Sequence, residues 1–265
     1  MFFTLFKSEP LIDEASSKWL EDTVCWIINE FGEQYFANKS QLILPTNNFY
    51  PGQAASVQEM AQLMFDKTLA YAGMKNWPIK LVPLAQFKAN TIPKFAVNGS
   101  LLGESSQIDC IDFRPESKSQ IELSYHPQQI NQPQDLITHF AQQFAAILVA
   151  HATTLPPGGD KTLPQTIEVL ACFMGFGVMF ANTAYQFKGG CGSCYNKQAN
   201  RQAALPEQEA IYALALYSQM KNIAPKEVKP HLKKHLTSDY KRALSQIKRK
   251  VEQNQLNALP NLLIE

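Results

Sequence analysis

Apolar residues recur along this chain with two periods. Between residues 14 and 31, Trp19, Val24, Trp26, Ile27 and Ile28 supply an apolar surface at helical spacing, and Gly32 supplies a stop. A second helix is predicted over 57–72, with Ser56 placed to cap it and Gly73 to end it. Residues 121–125 alternate instead: Ile121, Leu123 and Tyr125 fall on one face and Glu122 and Ser124 on the other, as in a half-buried strand. Short strands are also expected at 41–44, 79–84, 94–97 and 107–113. From residue 134 the helical period returns. Leu136, Phe140, Phe144, Ile147 and Leu148 predict a helix over 134–150, and a second follows over 163–187. This order implies an α+β fold, a small mixed sheet covered by helices with a mainly helical C-terminal half. Its length suits one globular domain, 1–265, with 1–132 and 133–265 as candidate subdomains. Gly175 and Gly177 interrupt the 163–187 helix at a cost of roughly 1 kcal/mol each relative to Ala. Close packing against the 134–150 helix is the expected reason.

The strand at 121–125 followed by the helix at 134–150 has the layout of a zinc peptidase. Positions 142 and 146 lie one turn apart, where two His would bind zinc from one helix face and a Glu after the first would polarise water. The chain carries Gln142, Gln143 and Ala146 there. A Gln amide has no proton to exchange near neutral pH, and a methyl group has no lone pair. Starting instead from His139 leaves Gln143 as the last position and does not rebuild the pair. On the next helix Glu168 is the natural third ligand, but without partners it is expected to be a helix-face carboxylate in a hydrogen-bonding or solvated role.

The segments 44–51, 121–127, 136–149 and 175–182 resemble a family of uncharacterised bacterial proteins with a zincin-like, metallopeptidase-like core. Several members carry a His-Glu-x-x-Ala-His-like or His-x-x-x-His helix where this chain has Gln142 to Ala146. The resemblance covers most of the chain and implies a degenerate metal motif at Gln142, Gln143, Ala146 and Glu168.

A separate chemistry is suggested by Gly189-Gly190-Cys191-Gly192-Ser193-Cys194, a Cys-x-x-Cys turn that lets two thiolates point at one metal or at each other. His231 and His235 lie four apart and would share a helix face if their segment is helical, completing a structural zinc site of two Cys and two His. The 36 residues between Cys194 and His231 exceed the spacing of a small zinc finger, so the tertiary fold would have to assemble it. A redox pair and an inert glycine turn are the alternatives. Cys25, Cys110 and Cys172 sit among apolar neighbours and are expected to be packed side chains.

A formal net charge of +1 gives no global attraction to nucleic acid or membrane. Nine Lys or Arg cluster between Lys226 and Lys250 against Glu227 and Asp239. Tyr240, Leu244, Ile247 and Val251 form the apolar stripe of that helix, leaving Lys241, Arg242, Lys248 and Arg249 on a face expected to be solvated, without the aromatic platform of a nucleic-acid binder. The apolar run 169–181 is shorter than the roughly 20 residues that cross a bilayer, and residues 1–7 make a poor signal peptide. The expectation is therefore a cytoplasmic, non-catalytic binding or regulatory protein with a protein or peptide partner, the alternative being a metal- or thiol-dependent protein using Cys191 and Cys194.

Overall fold

The first helix, α1 (Glu14–Phe31), begins where the Asp13 carboxylate accepts the Ser16 N–H at 2.8 Å and ends at Gly32, whose φ of 98° is costly for any residue with a Cβ. A short α2 (Glu33–Asn38) follows. Helix α3 (Val57–Tyr71) starts as predicted, the Ser56 hydroxyl accepting the Glu59 N–H at 3.1 Å. In a computed structural model, residues 9–88, 92–98, 100–103, 107–110, 120–184, 200–253 and 255 are described.

Two of the strands, at 79–81 and 121–123, are shorter than their sequence patterns. β1 (Ile79–Leu81) pairs in parallel with β4 (Ile121–Leu123), Ile79 opposite Ile121 and Leu81 opposite Leu123. β2 (Phe95–Asn98) pairs antiparallel with β3 (Gln107–Cys110), Phe95 opposite Cys110. Among the described residues the sheet is thus two separate two-stranded ladders rather than one mixed sheet. The fold is α+β, a small sheet covered by helices.

The remaining helices are α4 (Pro133–Ala150), α5 (Leu163–Ala171), α6 (Gly177–Asn182), α7 (Glu207–Met220), α8 (Pro225–Val228) and α9 (Leu236–Glu252). Every residue from Ala210 to Ser218 of α7 is buried, the mark of a helix enclosed on all sides. α1, α5, α6 and α9 pack around it, while α3 packs on α4. One continuous apolar core draws on both halves of the chain, from Leu20 and Val24 through Phe65 and Phe140 to Ile247.

The stretch Gly159–Asn182 is long and apolar enough to cross a membrane, but 78% of its apolar window is buried inside the protein. It is core, and it is not one straight helix. Between α5 and α6 the chain widens into a π turn over Cys172–Phe176, where Gly175 has a φ of 106°. A Cβ at Gly175 would lie 2.0 Å from the Gln41 carbonyl oxygen. That close approach lets the Ile43 N–H donate to the Gly175 carbonyl at 2.9 Å and the Ser40 hydroxyl donate to the Phe173 carbonyl at 2.8 Å. Residues 41–44, expected as a strand, instead form an irregular strap whose hydrogen bonds go to this turn. Gly177 faces Leu214, 2.9 Å from where its Cβ would be. The two glycines therefore admit the strap and α7, not α4 as expected.

Gly175→Ala should cost about 2–4 kcal/mol, through the left-handed backbone and the collision with Gln41 together. Urea unfolding of the variant beside the wild type measures it, and a loss below about 0.5 kcal/mol would show that the strap does not depend on this glycine.

Candidate functional site

Packing of α5 on α4 brings Gln142 and Glu168 together. Gln142 on α4 reaches Glu168 on α5, its Nε2 donating to Glu168 Oε1 over a long 3.5 Å. Glu168 is neither solvated nor waiting for a ligand. It is fully buried, and its Oε1 accepts from Arg201 Nη1 at 2.5 Å and from the Ala204 N–H at 2.7 Å, while Oε2 accepts the Leu205 N–H at 3.1 Å. The carboxylate is saturated by a charge and three neutral donors, so the solvated role open to it in the sequence is excluded by the geometry.

Arg201 is the residue that sequence reasoning missed. Its side chain is 1% exposed. Besides Glu168 it gives Nε to the Thr183 hydroxyl at 2.7 Å and Nη2 to the Phe180 carbonyl at 3.2 Å, and it lies 4.5 Å from the Phe180 ring centroid. Its backbone N–H donates to Asp135 Oδ1 at 2.9 Å. Burial raises the Asp135 carboxyl above its ordinary value, and the Arg201 N–H bond works against that shift. Nothing local marks Arg201 in the sequence, because all its partners lie far along the chain.

These bonds fix residues 200–204 as one wall of a cleft of about 750 Å³, a size that suits a drug-sized ligand or a short peptide segment. Ser124, Tyr125 and His126, where the chain leaves β4, form a second side. His139, Gln142, Gln143 and Ala146 of α4 form a third, and Leu163, Pro164 and Ile167 of α5 add apolar surface. Gln142, Gln143 and Ala146 thus all line the cleft. His139 is oriented by the Ser124 carbonyl, 2.9 Å from its Nε2. Burial holds the imidazole below its ordinary value, with the Ser124 bond opposing in part, so the ring is neutral at neutral pH and its Nε2 carries the hydrogen. His126 is fixed the other way round, its Nδ1 accepting the Gln128 N–H at 3.3 Å. Gln129 Oε1 accepts the His126 N–H at 2.9 Å.

The second predicted site is not assembled by the described residues. Cys191 and Cys194 lie outside them. His231 closes a short 3-10 turn, Lys229–His231, and Leu232 is extended with φ −85° and ψ 147°, so His231 and His235 do not share a helix face. The cause is Asn182, which donates to the His231 carbonyl at 2.8 Å and accepts the Lys233 N–H at 2.9 Å, holding the chain open between the two histidines. His235 faces Glu207 at 3.2 Å. Among the described residues no group of three or more His, Cys, Asp or Glu is placed to hold a metal. Cys172 is fully buried, its thiol pushed up by burial, and Cys25 is half-buried and shifted the same way.

The basic cluster is partly consumed inside the protein. Lys250 is buried, donating to Glu21 and to the Ser17 hydroxyl at 2.8 Å each and lying 3.1 Å from Glu14. Arg242 pairs with Asp239 and donates to the Pro10 carbonyl. Lys241 and Lys248 remain exposed.

No known protein family, curated protein or solved structure matches this chain.

The lowered affinity of His139 for a proton has a definite sign. The unfolded chain takes up this proton first as pH falls through about 6.5, so the folded state loses stability from there down to the depressed native value and no further. His139→Gln, which keeps a donor for Ser124, should flatten that part of the stability profile. Urea midpoints between pH 7 and 5 check it, and equal slopes for both proteins would contradict it.

Proposed function

We propose that this is a non-catalytic binding or regulatory protein of the cytoplasm, built on a degenerate zinc-peptidase-like core, whose β4–α4 cleft holds a protein or peptide partner. The observation that carries this is the fate of Glu168. At the place where a peptidase needs an available carboxylate and a metal, this carboxylate is buried and matched to Arg201, and the helix facing it offers Gln142, Gln143 and Ala146. A carboxylate engaged in this way spends its charge on Arg201 rather than on a metal. What the cleft retains is volume, neutral hydrogen-bonding groups and an apolar side, the composition of a binding site. Nothing in this role calls for a cofactor, a membrane or nucleic acid.

The test uses a tryptic digest of casein as a source of varied peptides. Binding should move the side-chain amide resonances of Gln142 and Gln143, and mass spectrometry should recover the peptides uncleaved with or without added zinc. Chelator-sensitive cleavage, or resonances that no peptide moves, would overturn the proposal.

A further inference from the structure

The polar groups of the cleft are oriented by bonds to the protein behind them, and those bonds decide what each can offer a ligand. Gln142 turns its Nε2 toward the Glu168 carboxylate. The reverse orientation would set its carbonyl against that negative charge, so Oε1 faces away as an acceptor. His139 gives its Nε2–H to the Ser124 carbonyl, leaving Nδ1 with a lone pair, a second acceptor on the same helix. Across the cleft the assignments invert. His126 uses Nδ1 to accept the Gln128 N–H, which puts its hydrogen on Nε2. Gln129 spends Oε1 on the His126 N–H, which leaves its Nε2 as the donor. Acceptors line the α4 side and donors line the turn after β4.

Charge adds a second constraint. Arg201 is the one Lys, Arg, Asp or Glu among the described residues that line this cleft, and its charge is spent on Glu168. A charged ligand group would leave water with no counter-charge to meet, which disfavours it. An amide with one N–H and one C=O faces no such cost, and it matches one acceptor wall and one donor wall.

We infer that the cleft selects the uncharged interior of a polypeptide, recognising main-chain amides through acceptors on Gln142 and His139 and donors on His126 and Gln129, and that it discriminates against chain termini and charged side chains. This rests on the binding role proposed above and adds the chemistry of the ligand. The apolar contribution of Leu163 and Ile167 favours a segment with small or apolar side chains.

Two probes of the same length separate the cases: acetyl-trialanine-methylamide, which has amides and no charge, and free trialanine, which has a charge at each end. Titration followed through the side-chain amide resonances of Gln143 gives both affinities. The capped peptide should bind at least about tenfold more tightly and with no dependence on salt, and Gln142→Leu should weaken it about tenfold, the loss of one well-placed hydrogen bond. His126→Phe, which removes an assigned donor and is read through the same Gln143 resonances, repeats the measurement should the first variant fold poorly. Free trialanine binding as tightly as the capped form, or affinity that falls steeply with salt, would overturn the selectivity while leaving the binding role intact. Silence with both probes and with the casein digest would overturn the two together.

Discussion

A buried ion pair between Glu168 and Arg201 holds up the wall of the cleft. Neither side chain is more than 1% exposed, so each charge has given up its water and depends on the other. Such a pair survives when further hydrogen bonds support both partners, and here each has them. Glu168 takes the Ala204 and Leu205 amides, and Arg201 takes the Thr183 hydroxyl, the Phe180 carbonyl and ring, and through its backbone the Asp135 carboxylate. One contact therefore joins α4, α5, α6 and the chain leading into α7. A fixed positive charge is thus supplied to the carboxylate from within the protein.

The same economy governs the other end of the molecule. Lys250 on α9 is matched by Glu21 and Glu14 on α1, and Tyr212 on α7 donates to the same Glu21 at 2.8 Å. Gln246 accepts the Leu11 N–H at 2.7 Å and donates to the Ile12 carbonyl at 2.9 Å, behaving toward residues 11–12 as a neighbouring strand would. Burying these groups without partners would cost more than the core could offset, so α9 and the segment before α1 are tied to each other through specific polar contacts. The enclosed helix α7 lies between the two networks, with the strap at residues 40–43 closing over the π turn.

Several helices are written in local signals. Gly32 ends α1, Ser56 and Gly73 frame α3, and the apolar rhythm of Leu136, Phe140 and Phe144 marks α4. The cleft is partly legible too, since a strand, a turn and a helix in succession place Gln142 and Gln143 beside the end of the 121–125 strand, whereas the part His139 plays there comes only from the fold. What failed was whatever depends on distant partners. Residues 41–44 read as a strand because Leu42, Ile43 and Leu44 are apolar, yet the hydrogen-bonding partner is a π turn more than 130 residues away. His231 and His235 have helical spacing, but Asn182 holds their segment open. Arg201 carries no local pattern at all, and with it hidden, Glu168 could be read only as a lone acid.

A double-mutant cycle on Glu168 and Arg201, using Glu168→Leu, Arg201→Leu and the double variant, measures the interaction on which this account rests. A coupling of about 2 kcal/mol or more is expected, each single change stranding a buried charge that the double change removes. A coupling near zero, the value for an exposed pair, would mean that the cleft's wall stands without the ion pair and that Glu168 is available for other chemistry.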